Sequence, residues 1–364
     1  GQRDFLLCPF LVAGALGVAR WTEAPAASGA RAALAGGALA LGAGMTVKPH
    51  ALVLAAALGG LVAVIALRTR TGVAASLGVF VAGAATAPAA IVLWLGAAGA
   101  LPAWRAIVLD YLVPLYSRLG GGHGWTVYRP EVWIPLLAGA VIAAASALAG
   151  RRFGVRHAVA AVGVLYGAAH FMGQGKGWEY HLYPLAAFTI VLLFMGAGPA
   201  LARPRSAPAA ALLLCALAAG GLLASKAART SPAAWERAKA ERVRALAGEL
   251  GALLKAGDTV QVLDTSGGGL HALLRLRVRE PTRFLYDFHF FHDTDHPTIR
   301  ALRAELLRGL DARPPRTIVL FEEGWPAGGY ERLDTFVPLR ERLAGYDLVR
   351  LGPGYRIYAQ RHDS

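Results

Sequence analysis

Charge is scarce in this chain, and acid scarcer still. Only 16% of its 364 residues are charged, 55% are hydrophobic, and mean hydropathy is +0.45. That balance lies outside the range of soluble globular chains and points to a bilayer as solvent. Acids are almost missing from the first part: of 23, only Asp4, Glu23, Asp110, Glu131 and Glu179 precede residue 231. Seventeen Lys and Arg accompany those five, whereas 20 accompany the 18 acids that follow. The net charge of +14 therefore belongs almost wholly to the first part, and two solvents are implied, lipid and then water. Positive excess spread over short loops is a topology signal, so no nucleic-acid partner is expected. Cysteine is limited to Cys8 and Cys215, both in apolar runs, which excludes a disulfide framework or a thiolate metal site and leaves the redox compartment open. A leader pattern is also missing: the chain begins without Met at Gly1-Gln2-Arg3-Asp4, which reads as lacking its true N-terminal part. Lys is rare beside Arg, 5 against 32, the usage of a high-GC bacterial gene.

What the sequence has in quantity is apolar length. Crossing a hydrocarbon core of about 30 Å takes about 20 apolar residues. Roughly eight stretches qualify: 5–19, 32–47, 50–67, 72–99, 132–149, 157–172, 180–197 and 207–225. The expected fold class is a polytopic α-helical membrane bundle over 1–228, the later spans of a larger one, followed by a small soluble α/β domain over 229–364. Small residues such as Gly59 and Gly60 suit close helix contact in lipid. Alternating the loops places Arg20, Arg31, Arg68, Arg70, Arg151, Arg152, Arg156, Arg203 and Arg205 on one side, cytoplasmic by the positive-inside rule. The N-terminal start, the Lys48-Pro49-His50 corner, the 100–131 loop, the Gly173 to His181 loop and the C-terminal domain then share the extracytoplasmic face of a bacterial inner membrane. Within the 100–131 loop, Trp104, Ile107, Val108, Tyr111, Leu112 and Leu115 recur at helical spacing. The stretch Trp104 to Leu119 is expected to be an amphipathic helix, either an ordinary surface helix or one in the membrane interface beside a lipid-linked substrate.

Three polar motifs interrupt the apolar runs. The densest is Gln174-Gly175-Lys176-Gly177-Trp178-Glu179-Tyr180-His181, at the mouth of a span where ionisable residues are costly. Lys176 offers a compact cation for phosphate, Trp178 and Tyr180 offer faces for a sugar or isoprenoid, and His181 offers a proton shuttle. An interfacial aromatic belt with a snorkelling Lys is the alternative. Lys48-Pro49-His50 breaks the apolar stretch from 32 to 67: Pro forces a corner, and the cation and imidazole suit an anionic headgroup. Arg3 and Asp4 open the first run, as a functional polar pair or as an ion pair at a helix start.

In this order, Gly-Gln-Arg-Asp before an apolar span, Lys-Pro-His some 45 residues later and Gln-Gly-Lys-Gly-Trp-x-Tyr-His, the motifs resemble the later spans of bacterial C-type glycosyltransferases that use polyprenyl-phosphate sugars, particularly the mannosyltransferase-like branch. The resemblance covers about residues 1–225. It implies transfer of a sugar with inversion from a polyprenyl-phosphate donor to an envelope acceptor. Arg3, Lys48, His50, Gln174, Lys176, Trp178 and Tyr180 would then bind substrate; Lys48, Lys176 and His181, with Arg3 next, would stabilise the leaving phosphate. Asp4, Glu179 and His181 are the catalytic candidates. The carboxylate that serves as base in that superfamily would lie upstream of Gly1. A non-enzymatic glycan transporter or envelope assembly scaffold, its cations holding a lipid headgroup, is the alternative.

Beyond an Ala, Arg and Glu-rich helix at about 231–255, strand patterns at Thr259 to Leu263, Thr317 to Phe321, Tyr346 to Leu351 and Tyr355 to Gln360 alternate with helical ones at Pro297 to Leu310 and Tyr330 to Ala344, an α/β layer pattern. Thr265-Ser266-Gly267-Gly268-Gly269 after the first strand is a turn or, more weakly, a phosphate loop. His289, His292, Asp293, Asp295 and His296 lie within eight residues, dense enough for a divalent metal cofactor. The plainer reading caps a helix with Thr294 or Asp295 before Pro297.

Overall fold

The computed structural model describes residues 3–119, 130–201, 206–229 and 233–361. Gly1, Gln2, Arg203, Arg205 and the 120–129 part of the long loop, all named above, lie outside the described residues. The chain divides into two compact units, Gly1–Leu109 with Gly120–Arg229, and Asp110–Leu119 with Thr230–Ser364.

The first unit is helical. Its elements are α1 (Arg3–Glu23), α2 (Ala30–Val47), α3 (Ala51–Thr69), α4 (Val73–Ala97), α5 (Leu101–Arg105), α6 (Pro130–Ala149), α7 (Val155–Gln174), α8 (Tyr183–Leu201) and α9 (Ala207–Arg229). Among the described residues, six stretches are helical, long and apolar enough to cross a membrane: Arg3–Glu23, Ala30–Val47, Ala51–Thr69, Val73–Ala97, Glu179–Gly196 and Ala207–Ser225. Trp133–Ala149 is apolar but shorter. Helix α7 carries Arg156, His157, His170 and Gln174, which dilute its apolar character. Large apolar side chains such as Leu93, Val141, Leu165, Phe194 and Leu214 are exposed along these helices, a surface suited to lipid. Inside, Leu7, Leu11, Leu34, Leu41, Leu54 and Leu58 pack in one core. Small residues set the spacing: a Cβ on Gly17 of α1 would stand 2.6 Å from the Gly37 Cα and 2.6 Å from the Ala33 carbonyl oxygen of α2.

Charge sorts to two ends. At one, Arg156 at the start of α7 donates to Glu23 at the close of α1, its second nitrogen at 2.7 Å. At the other lie Asp4 and the end of α7, so these helices run antiparallel.

The second unit holds a four-stranded sheet in the order β1 (Val260–Leu263), β2 (Thr317–Phe321), β4 (Tyr355–Gln360), β3 (Tyr346–Gly352). Strand β1 pairs parallel with β2, and β4 runs antiparallel to both β2 and β3. The two parallel strands are buried throughout, because each face is covered. Val260, Val262, Val319 and Phe321 pack against α10 (Ala233–Leu253) and α11 (Gly269–Leu276). Leu263, Ile318 and Leu320 pack against α12 (Pro297–Ala312) and α13 (Val337–Leu343). The helix expected over Tyr330 to Ala344 is two pieces, a 3-10 turn Tyr330–Thr335 and α13. Pro338 in the first turn of α13 lacks the N–H a continuous helix would need there.

The amphipathic helix expected from Trp104 to Leu119 is also divided. After α5 the backbone opens into a π-helix, Ala106–Leu112, and closes as a 3-10 turn, Tyr116–Arg118. The wider turn redirects the face: Tyr111, Leu115 and Leu119 are buried, whereas Trp104, Ile107 and Leu112 are exposed. Tyr111 and Leu115 pack with Ile299 and Phe288, inside the second unit.

Candidate functional site

All three polar motifs of the membrane part meet at one end of the first unit. Asp4 enters on the first turn of α1, buried to 1% exposure. A carboxylate there needs partners, since an unpaired buried charge is prohibitive. Lys48, whose corner is forced by Pro49 between α2 and α3, supplies one: its Nζ donates to Oδ1 at 2.9 Å and lies 2.7 Å from Oδ2. The second is His170, on α7, whose Nε2 stands 2.9 Å from Oδ1. The expected Arg3–Asp4 pairing gives way to this arrangement, and Arg3 is exposed. It still acts on the site, since its charge holds the Lys48 ammonium down in the same direction as burial, against the raising effect of Asp4.

Around this clasp stand the remaining candidates. The Gln174 amide lies 3.2 Å from His50 Nδ1, and the rings of His50 and His170 are 5.5 Å apart, edge to face. Burial, then the charges of His170 and Lys48, push the His50 pKa down. Past α7, Gly175 and Gly177 take positive φ of 60° and 63°, which turns the chain so that Lys176 is buried with its ammonium 5.1 Å from the Trp178 ring. Burial, with Lys48 nearby, pushes Lys176 down to about 8. Lys48 lies 5.9 Å from the Tyr180 ring. His181 is buried beneath Trp178 and Tyr180, and its ring lies 6.0 Å from that of His170. Glu179 is half-buried in the same turn.

Sequence reasoning missed His170. It sits inside an apolar run with no polar neighbour to draw notice, yet an ionisable residue within a span was itself the signal. The arrangement can hold a negative charge at the rim, present aromatic faces beside it and move a proton among carboxylate and imidazoles.

In the second unit the remaining motifs prove structural. The glycine loop is filled by the protein itself: Asp264 accepts backbone N–H groups of Ser266, Gly267, Gly268 and Gly269 at 2.6–2.9 Å. Its carboxylate occupies the nest that a phosphate would use. Asp287, beside it, accepts from Thr265 at 2.6 Å and from buried Arg332 at 2.9 Å. The histidine-rich segment is parted among separate tasks. His292 bonds to the Tyr111 hydroxyl at 2.9 Å and to Asp293 at 3.1 Å, His289 stacks on Tyr111, and Asp295 pairs with Arg300. His296, rather than Thr294 or Asp295, caps α12 through Nδ1. Among the described residues no three His, Cys, Asp or Glu gather to hold a metal. No family model matches the chain, and no curated protein matches it.

Proposed function

We propose that the chain is a membrane glycosyltransferase that takes a sugar from a polyprenyl-phosphate donor and passes it to an envelope acceptor, with about eight spans in a bacterial inner membrane and the C-terminal domain extracytoplasmic. One observation carries the reading: Asp4, Lys48 and His170, contributed by the first turn of α1, the α2–α3 corner and α7, close on one another beside Lys176, Trp178, Tyr180 and His181. Except for His170, these residues come from the three motifs on which the family resemblance rests. Lys48 and Lys176 stabilise the leaving phosphate, and Trp178 and Tyr180 stack on sugar or isoprenoid. A carboxylate base takes the acceptor's hydroxyl proton; the oxygen attacks the anomeric carbon, whose bond to phosphate breaks with the electron pair leaving on phosphate, while Asp4 orients the Lys48 cation.

The scaffold or transporter reading has its own observation: both oxygens of Asp4 are already engaged by Lys48, at 2.9 and 2.7 Å. The full-length protein reconstituted with labelled polyprenyl-phosphate sugars separates the two. Transfer that drops tenfold or more in Lys176→Ala supports the enzyme. Saturable donor binding without transfer supports the scaffold.

A further inference from the structure

Two helices of the second unit, α10 and α11, end at one cavity, and the residues that follow them are cationic. Past α10 the chain turns at Gly257, whose φ is 91°, and the Asp258 carboxylate closes that turn by accepting the Lys255 N–H at 2.8 Å. Past α11, Arg277 takes a φ of 55°; its N–H donates to the Leu274 carbonyl and that of Val278 to Leu273. A bridge between Thr259 and Arg279 joins the two turns, and the Val260 N–H donates to the Arg279 carbonyl at 3.1 Å. The cavity they border has a volume of about 540 Å³, within the roughly 300–1,000 Å³ of small-ligand sites. Leu254, Leu276 and Val278 line it from the core side, each half-buried. Lys255, Arg277 and Arg279 line it as well, and all three are exposed. Other arginines of this unit pair with acids, as Arg283 does with Glu305 and Arg342 with Asp311. Among the described residues these three cations have no such partner, and the one acid lining the cavity, Asp258, is bonded to backbone. Like charges around one hollow repel, a cost that a bound anion removes. Lys255 and Arg277 follow helix ends, where the dipole also favours a cation, but Arg279 follows none, and the Leu273 and Leu274 carbonyls of α11 already accept backbone N–H groups.

We infer that this cavity binds a phosphate monoester with an apolar body. The guanidinium forks of Arg277 and Arg279 and the Lys255 ammonium hold the phosphate oxygens at the mouth, and Leu254, Leu276 and Val278 cover the carbons behind them. Three cations against one acid suit the near-double charge of a phosphate monoester better than the single charge of a carboxylate. A lipid headgroup and a soluble ester share this chemistry, and the test separates them. The site does not depend on the transfer reaction proposed above.

The test uses the full chain in lipid nanodiscs, with hydrogen exchange read over residues 255–260 and 276–280. In one arm, discs of phosphatidylcholine are titrated with inorganic phosphate and with hexyl phosphate at fixed ionic strength. In the other, phosphatidic acid replaces part of the phosphatidylcholine and no soluble phosphate is added. Protection by hexyl phosphate, at concentrations about tenfold below those inorganic phosphate needs, supports a soluble ester, because the chain adds apolar burial. Protection by phosphatidic acid alone supports a lipid headgroup. Arg277→Gly combined with Arg279→Gln should weaken either response about tenfold. Glycine suits the positive φ at 277, so the end of α11 keeps its cap. Lys255→Gln, a milder second variant, should weaken the response in the same direction. Arg275→Gln removes an equal charge from the exposed side of α11 outside the cavity and should respond as wild type. No protection in either arm overturns the site. So does a response unchanged in the variants, and a lowered thermal midpoint with that unchanged response would show that the cations serve the helix ends alone.

Discussion

Asp264 shows how one side chain can settle what a loop is for. A carboxylate that accepts four backbone N–H groups replaces the water those groups had in the unfolded chain, and it closes the turn onto α11. Asp264→Ala strands those donors, most of them buried, and is expected to cost about 3 kcal/mol. Loss of hydrogen-exchange protection across β1 and α11 is the measurement, and wild-type protection in the variant would refute it. Glu280 gives the same region a pH dependence. It accepts from the Val262 amide at 3.0 Å, while burial first, with Asp264 adding, pushes its pKa up from 4.5 to about 7. Between those values the folded domain holds a proton that the unfolded chain releases, so stability is full below pH 4.5 and falls as pH rises toward 7. Allowing for its partial exposure, the loss is about 2 kcal/mol. Glu280→Gln should flatten the profile, read as β1 protection at pH 5 against pH 8 after correction for intrinsic exchange.

Elements were legible where period and composition speak locally. The eight apolar runs emerge as helices, and the four strand patterns as strands, because burying one face or both leaves its imprint on successive residues. The π-helix at Ala106–Leu112 was not legible: one added residue per turn rotates the buried face from Trp104 and Ile107 to Tyr111 and Leu115, and no residue type announces it. The candidate site divides the same way. Its motifs could be read, yet the bond from Asp4 to His170 spans 166 residues and depends on helices α1 and α7 lying together. The close approach of α1 to its other neighbour, α2, depends on small residues, which makes the α1–α2 seam a point of test. Gly17→Ala would put a methyl 2.6 Å from the Gly37 backbone, where no flexible side chain can give way. The helices must separate, and a cost of about 1–3 kcal/mol is expected. A lowered thermal midpoint in detergent checks it; Gly36→Ala, which meets nothing within 4 Å, is the control expected to melt with wild type.

At the scale of the molecule, the division between lipid and water follows from where acids lie, and the sequence places it near residue 229. The second unit is not continuous, however: Asp110–Leu119, from the loop between apolar helices, belongs to it. Composition could not disclose this, since the joining contacts are one hydroxyl and a few apolar faces. Tyr111 reaches His292 at 2.9 Å, stacks on His289 at 5.1 Å and shares a small core with Leu115 and Ile299. Burial, with help from His292 and Arg283, pushes His289 down to about 4, so this ring is neutral as it stacks. The segment then acts as a tether whose strength can be graded. Tyr111→Phe keeps the ring and loses the bond to His292, worth about 1 kcal/mol, whereas Tyr111→Ala also empties a buried aromatic site, worth about 3–5 kcal/mol. In the intact protein, hydrogen-exchange protection at the start of α12, around Ile299, should fall slightly in the first variant and strongly in the second, while β1 and β2 keep theirs. Equal protection in all three proteins would show that the domain stands without the segment, and that its boundary is the one composition drew.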